Sequence, residues 1–239
     1  MQRYFIDSSQ IENTLVRVMG GDFHHMKNVM RFQTGESVIV NTYGGHAYRC
    51  EIKRFEHDQV LLEVKEKLAI SALSFHLTLG MAMIKRDAFE LTLKKTTELG
   101  VDGIIPLNTK RSIIHIKDYA KKKKRYQRIC KESSEQSERS YVPTIHALID
   151  LDALDVDGYE HLFCAYARGS NQHLKSSIKH IKSSEKTLVL IGPEGGFTED
   201  EIKLLKNKGF QNISLGDTIL RAETAAIYVT SVFRFMLGD

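Results

Sequence analysis

The chain has 239 residues, 42% hydrophobic and 27% charged, with a formal net charge of +4. Those values suit one large or two small globular domains with a real core, and they argue against disorder. Three scattered cysteines (Cys50, Cys130, Cys164) without CxxC spacing suggest neither a disulfide framework nor a zinc site and fit a reducing cytoplasm, while no apolar stretch approaches the roughly 18 residues of a membrane span and the N-terminal MQRYFIDSSQ does not read as an export signal.

Up to about residue 68 the pattern is β-rich. Asp22 is placed to cap a short helix over residues 23–30 (FHHMKNVM), which would deliver His24, His25, Lys27 and then Arg31 together. The two histidines are neighbours and face different ways on a helix, so a surface or RNA-facing role suits them better than a metal pair. Residues 37–43 (SVIVNTY), 47–55 (AYRCEIKRF) and 60–64 (VLLEV) follow as short strands, separated at Gly44-Gly45 and His57-Asp58-Gln59 as hairpin turns would separate them. A small antiparallel meander or barrel is expected, with a domain boundary near residues 69–74.

Strands and helices alternate after that point. Residues 75–83, 103–107, 161–166, 188–192 and 213–215 are apolar strand candidates, and residues 87–99, 118–138 and 171–181 are helical patterns between them. Such alternation predicts a mostly parallel sheet covered on both faces, hence an α/β domain from about residue 72 to 239 behind a β-rich domain over residues 1–70. The second of these helices is basic. Residues 117–139 hold nine Lys or Arg, including Lys117, Lys121, Lys122, Lys123, Lys124 and Arg139, against four acids, so this window exceeds the charge of the whole chain. A run of this kind either attracts nucleic acid by counterion release or forms a solvated helix face.

The most informative segments lie near the C-terminus. LVLIGPEGGFTEDEI (residues 188–202) and SLGDTILRAETAA (residues 214–226) each break an apolar strand into a polar turn and then start a helix. Ligands bind at the carboxyl ends of strands in open α/β sheets, where such turns lie. Thr198 and Glu201 have capping-box spacing and Gly209 is a natural stop, so one helix begins directly after GPEGGF. In that loop Gly192, Gly195 and Gly196 allow a close backbone approach, Pro193 stiffens the turn and Glu194 stands alone. The second loop joins apolar Leu215, Ile219 and Leu220 and small Gly216 to the charged Arg221 and Glu223, a lining suited to a flat heterocycle. The last helix, from about residue 222 to 237, is apolar on nearly every side, as expected of a central helix or a subunit interface. No GxGxxG after a strand, GxxxxGK[ST], HExxH or GxSxG occurs, which removes the main supports for dehydrogenases, P-loop NTPases, zincins and α/β-hydrolases.

IGPEGGFTEDEI followed by LGDTILRAETAA resembles the signature of the RsmE family of SPOUT methyltransferases. FHHMKNVMR (residues 23–31), KKTTELGVDGIIPL (residues 94–107) and EQSER (residues 135–139) are similar to that family's other motifs, so the resemblance runs through the whole chain. The sequence departs at Asp217-Thr218, where the family often has Pro-Arg, at Ala222, where Thr is common, and at Glu138, where Gly is common.

The resemblance implies a PUA-like β-barrel before a C-terminal SPOUT α/β domain with a trefoil knot, S-adenosylmethionine as cofactor, and a homodimer; a cytoplasmic location without membrane association is expected from the cysteines and the lack of apolar spans, and direct methyl displacement requires no metal. The implied activity is methylation of N3 of a uridine, U1498, in 16S ribosomal RNA of the small subunit. The cofactor loops it implies comprise Ala165 and Tyr166; Ile191, Gly192, Glu194, Gly195 and Gly196; and Leu215, Gly216, Ile219, Leu220 and Arg221. RNA contacts are expected from Arg3, His24, Lys27, Arg31, Lys121, Lys122, Lys123, Lys124 and Arg139. Methyl transfer to N3 requires loss of the N3 proton, so Arg221 is the candidate for stabilising the uracil's developing charge, and Glu194 or Glu223 for the base. Glu223 could equally serve the helix dipole, and Arg221 could pair with it structurally. A non-catalytic RNA-binding or ribosome-assembly factor that kept the fold is the alternative; intact cofactor loops argue against it.

Overall fold

In the computed structural model, residues 1–70, 74–114, 116, 118–166 and 172–238 are described. The chain divides into two compact units: Met1–Ala72 with Ser134–Val142, and Leu73–Ser133 with Pro143–Asp239. Part of the expected boundary at residues 69–74, together with Lys117 and Asn171, lies outside the described residues.

The first unit contains β1 (Arg3–Ile6), β2 (Ile11–Glu12), β3 (Leu15–Met19), the short helix α1 (Gly20–His24), β4 (Ser37–Thr42), β5 (His46–Phe55) and β6 (Gln59–Leu68). Its six-stranded sheet has the order β1-β4-β5-β6-β3-β2. All pairings are antiparallel except β1 with β4, so the expected meander gains a parallel edge. Inward residues of alternating strands, among them Val38, Val40, Cys50, Ile52, Val60 and Leu62, form its core around Met26. Residues Ser134–Val142 group with this unit although they follow the basic helix in sequence. There, Glu135 accepts a hydrogen bond from the Phe5 amide at 2.9 Å, and Asn41 donates to the Arg139 carbonyl at 3.2 Å.

The expected cap at Asp22 does not form. Helix α1 begins at Gly20, which leaves β3 with a positive φ of 64°, and Met19 is its N-cap without a side-chain bond. Asp22 therefore sits in the first turn, where its charge favours the helix dipole. A π-turn over His25–Val29 then replaces further α-helix. His25 is drawn inward: its Nδ1 meets the Tyr4 hydroxyl at 2.9 Å. His24, Lys27 and Arg31 remain exposed.

The second unit runs β7 (His76–Ala82), α2 (Arg86–Leu99), β8 (Gly103–Asn108), α3 (Tyr119–Gln136), β9 (Thr144–Ile145), β10 (Ile149–Asp150), β11 (His161–Ala165), α4 (Leu174–Ile178), β12 (Lys186–Ile191), α5 (Glu199–Asn207), β13 (Gln211–Ile213) and α6 (Ala222–Leu237). The strand order is β10-β8-β7-β12-β11-β13, with β9 also on β8, and every pairing is parallel. Residues 187–191 of β12 are buried without alternation, as a strand covered on both faces requires. Helix α4 is shorter than the pattern at 171–181 suggested. The hydroxyls of Ser176 and Ser177 both donate to the His173 carbonyl, at 2.8 and 3.0 Å, a local competition that keeps serine-rich helices short.

This order matters for function because β12, β11 and β13 are consecutive neighbours. Their carboxyl ends, with Tyr166 after β11 and the turns that follow β12 and β13, therefore lie side by side at one end of the sheet.

Candidate active site

The loop after β12 is a tight turn closed by a 2.8 Å hydrogen bond from the Gly196 amide to the Pro193 carbonyl. Gly196 has φ of +67°, a region that a side chain disfavours. Helix α5 then starts at the predicted capping box: the Glu201 amide donates to Thr198 Oγ1 at 3.2 Å, and the Thr198 amide donates to Glu201 Oε2 at 2.7 Å. Glu201 is only 5% exposed, and its other oxygen accepts from the Lys110 amide at 2.8 Å. The α5 helix ends as expected at Gly209, with φ of +93°.

The loop after β13 begins with a reciprocal pair of 3.2 Å contacts between the Ser214 hydroxyl and the backbone of Gly216. It ends at Arg221, the N-cap of α6. Every position expected from the three cofactor loops lines one cavity of about 520 Å³, from Ala165 and Tyr166 through Ile191 to Gly196 and on to Arg221. Sequence distance is thereby removed by the sheet order alone. Ile219 is 74% exposed at this cavity, an apolar side chain that the protein leaves facing solvent.

Arg221 and Glu194 are both exposed and both line the cavity. Glu223 does not line it; it is half-buried in the first turn of α6, where a carboxylate favours the dipole. The considered Arg221–Glu223 ion pair does not form, and the Arg221 side chain makes no hydrogen bond or ion pair with any described residue. Cys164, on β11 near the cavity, is buried, and that burial pushes its thiol well above the ordinary value, so it is not poised as a nucleophile. Among the described residues no group of three or more His, Cys, Asp or Glu could hold a metal ion, and no helix is long and apolar enough to cross a membrane.

Sequence reasoning missed Arg111. It lies in the loop after β8, lines the cavity, and its Nη1 donates to the Gly195 carbonyl at 2.8 Å and to the Phe197 carbonyl at 3.4 Å. Nothing in TKRS (residues 109–112) marks it, because its partners lie more than 80 residues away.

The expected RNA contacts fall in both units. In the first, Lys27 holds its ammonium 5.2 Å from the Phe23 ring centroid, His24 meets Asn28 at 2.9 Å, and Arg31 is exposed with φ of 55°. Arg3 is largely buried and lies 3.9 Å from Glu138, which leaves it less available. Glu138 itself has φ of 56°, a backbone conformation that glycine adopts more readily. In the second unit Arg125 of the basic helix is held bidentately by Glu90 at 2.7 and 2.8 Å, and Arg128 pairs with Glu132 at 3.5 Å. Lys121, Lys122, Lys123 and Lys124 form no ion pair with a described residue.

An RNA methyltransferase domain family matches residues 71–234, and an RNA methyltransferase PUA domain family matches residues 20–65. The chain is 32% identical to the ribosomal RNA small subunit methyltransferase E of Bacillus subtilis, covering 98% of this chain and 96% of that one. It belongs to the ribosomal RNA small subunit methyltransferase E family. A Synechocystis member of the family is 33% identical over 93% of this chain and 74% of its own length. The family's structure from Neisseria gonorrhoeae, bound to S-adenosylmethionine, has a TM-score of 0.83 at 26% identity over 99% of this chain and 98% of that one. The expected fold class, a SPOUT α/β unit with a PUA-like β-rich unit, is borne out.

Proposed function

We propose that this member of the family is an S-adenosylmethionine-dependent methyltransferase acting on N3 of a specific uridine, U1498, of 16S ribosomal RNA in the small subunit. The observation carrying this reading is the convergence of residues from the ends of three strands on one cavity, with Arg221, whose side chain has no partner among the described residues, in its wall. A volume near 520 Å³ lies within the range of small-molecule sites. The apolar Ile191, Leu215, Ile219 and Leu220 suit a flat heterocycle, and the turn around Gly196 brings backbone polar groups to the same wall. When bound, the cofactor supplies an electrophilic methyl group on a sulfonium. Arg221 stabilises the negative charge that develops on a uracil carbonyl oxygen as the N3 proton leaves. Glu194 is the better base, since it faces the cavity and Glu223 does not.

The remaining parts of the proposal are a cytoplasmic location, a trefoil knot in the α/β unit and a homodimer. The dimer has physical support in α6, which buries Ala225, Ala226, Val229 and Phe233 yet leaves Phe235 86% and Tyr228 42% exposed. The exposed cations of the PUA-like unit and Lys121, Lys122, Lys123 and Lys124 of α3 contact RNA phosphates, which position a substrate without specifying it.

Two measurements test this. Calorimetry with S-adenosylmethionine is expected to show saturable binding; a silent titration would leave a non-catalytic RNA-binding factor as the reading. Mapping the modified nucleotide in ribosomal RNA from cells lacking the protein is expected to show one unmethylated uridine; an unchanged map would overturn the substrate. Separately, replacing Lys121, Lys122, Lys123 and Lys124 with Gln is expected to weaken RNA binding and to flatten its dependence on log salt by about 0.7–0.9 per lost phosphate contact. An unaltered salt slope would reduce this run to a solvated helix face.

A further inference from the structure

The TKRS turn, residues 109–112, grips the loop after β12 at several points. Arg111 Nη1 bonds the carbonyls of Gly195 and Phe197, the two residues that flank the positive-φ Gly196. The Lys110 amide bonds Glu201 Oε1, while Glu201 Oε2 holds the capping box that starts α5. The turn is itself fixed, by a buried 2.8 Å contact between the Thr109 and Ser112 hydroxyls and by the Ser112 amide on the Thr109 carbonyl at 3.1 Å. The approach is close enough that a Cβ on Gly195 would press on the Arg111 side chain at 3.3 Å. A charged donor on two carbonyls of one short turn limits how far that turn can open.

We infer that Arg111 is a positioning residue, holding the loop from Gly192 to Phe197 in its cofactor-binding shape. This rests on the reading of the cavity as the S-adenosylmethionine site. A guanidinium suits the site: the two N–H groups of Nη1 lie in a fixed plane while the stem packs on Gly195, whereas a lysine ammonium would present the same donors from a more flexible, more strongly hydrated point charge. Losing the grip leaves the loop free to sample shapes in which its backbone groups no longer line the cavity. Affinity then falls by the fraction of molecules in the competent shape, with the chemical step little changed.

The experiment compares wild type with Arg111→Ala and Arg111→Lys by calorimetry with S-adenosylmethionine and by steady-state methyl transfer to purified small subunits. The expected result for Arg111→Ala is a Kd and KM for the cofactor raised about tenfold, as loss of one charge-assisted hydrogen bond implies, with kcat within about threefold of wild type. Arg111→Lys is expected to fall between the two, and it decides the matter if the alanine variant melts before it can be assayed. Wild-type cofactor affinity in Arg111→Lys and in any folded Arg111→Ala overturns the inference. So does a raised KM for the RNA with an unchanged one for the cofactor, which would make Arg111 an RNA contact. Absence of cofactor binding by the wild-type protein would instead overturn the reading of the cavity itself.

Discussion

Arg221→Ala is expected to lower kcat for methyl transfer by about 100- to 1,000-fold, the usual loss when a preorganised donor to a developing oxyanion is removed. The size of the effect follows from what surrounds the side chain. The Arg221 side chain has no hydrogen bond or ion pair with a described residue, so truncating it breaks no internal network, and it is exposed, so it leaves no void. Its loss should hardly move the thermal midpoint. The backbone at this position must also survive, because the Arg221 carbonyl accepts the 2.8 Å bond from the Ala225 amide that opens α6, and alanine keeps that carbonyl. Single-turnover methylation of purified small subunits at saturating cofactor measures the chemical step directly. Turnover within about threefold of wild type would remove Arg221 from the mechanism. A raised KM for the cofactor with unchanged kcat would confine it to binding.

The second large effect concerns stability rather than chemistry. Leu190 on β12 stands directly opposite Gly80 on β7, and both strands are central to the sheet that carries the loops proposed to bind the cofactor. Leu190 is fully buried, and a Cβ built on Gly80 would collide with the Leu190 side chain and come within 3.1 Å of Leu107. Glycine at this strand position thus makes room for leucine. Leu190→Ala is expected to cost about 3 kcal/mol from lost burial and the cavity left behind. Gly80→Ala is expected to cost about 1–3 kcal/mol by overpacking. The double variant should be more stable than the sum of the single effects by about 1–2 kcal/mol, since the new methyl group enters the space that leucine vacates. Urea denaturation of the four proteins gives the cycle. Strict additivity would show that the two positions do not share that volume.

Much of the architecture was legible before any coordinates. The parallel α/β unit follows from apolar runs alternating with helical patterns. The starts of α5 and α6 follow from the Thr198–Glu201 capping box and from the end of the ILR loop. These are local signals, set by a few adjacent residues. The errors are equally local in origin. Asp22 resembles an N-cap, but the Gly20 turn begins the helix earlier. Strand β1 escaped because it is largely buried along its length and so lacks the polar alternation that marks half-buried strands.

By itself the sequence determined the two kinds of secondary structure, the candidate loops proposed for the cofactor, the basic helix and, through its motifs, the family. It could name Arg221 and Glu194 as chemically apt residues. Only the tertiary structure decided that β11, β12 and β13 are neighbours, so that the residues at their carboxyl ends line one cavity, that the Arg221 side chain has no partner among the described residues and Glu223 does not line that cavity, and that Arg111 reaches the Gly195 carbonyl. The physical reason is common to all three. Capping, turn formation and periodicity act over a few residues, whereas strand order and the hydrogen bonds it permits join groups tens of residues apart, whose meeting is fixed by burial of the whole sheet.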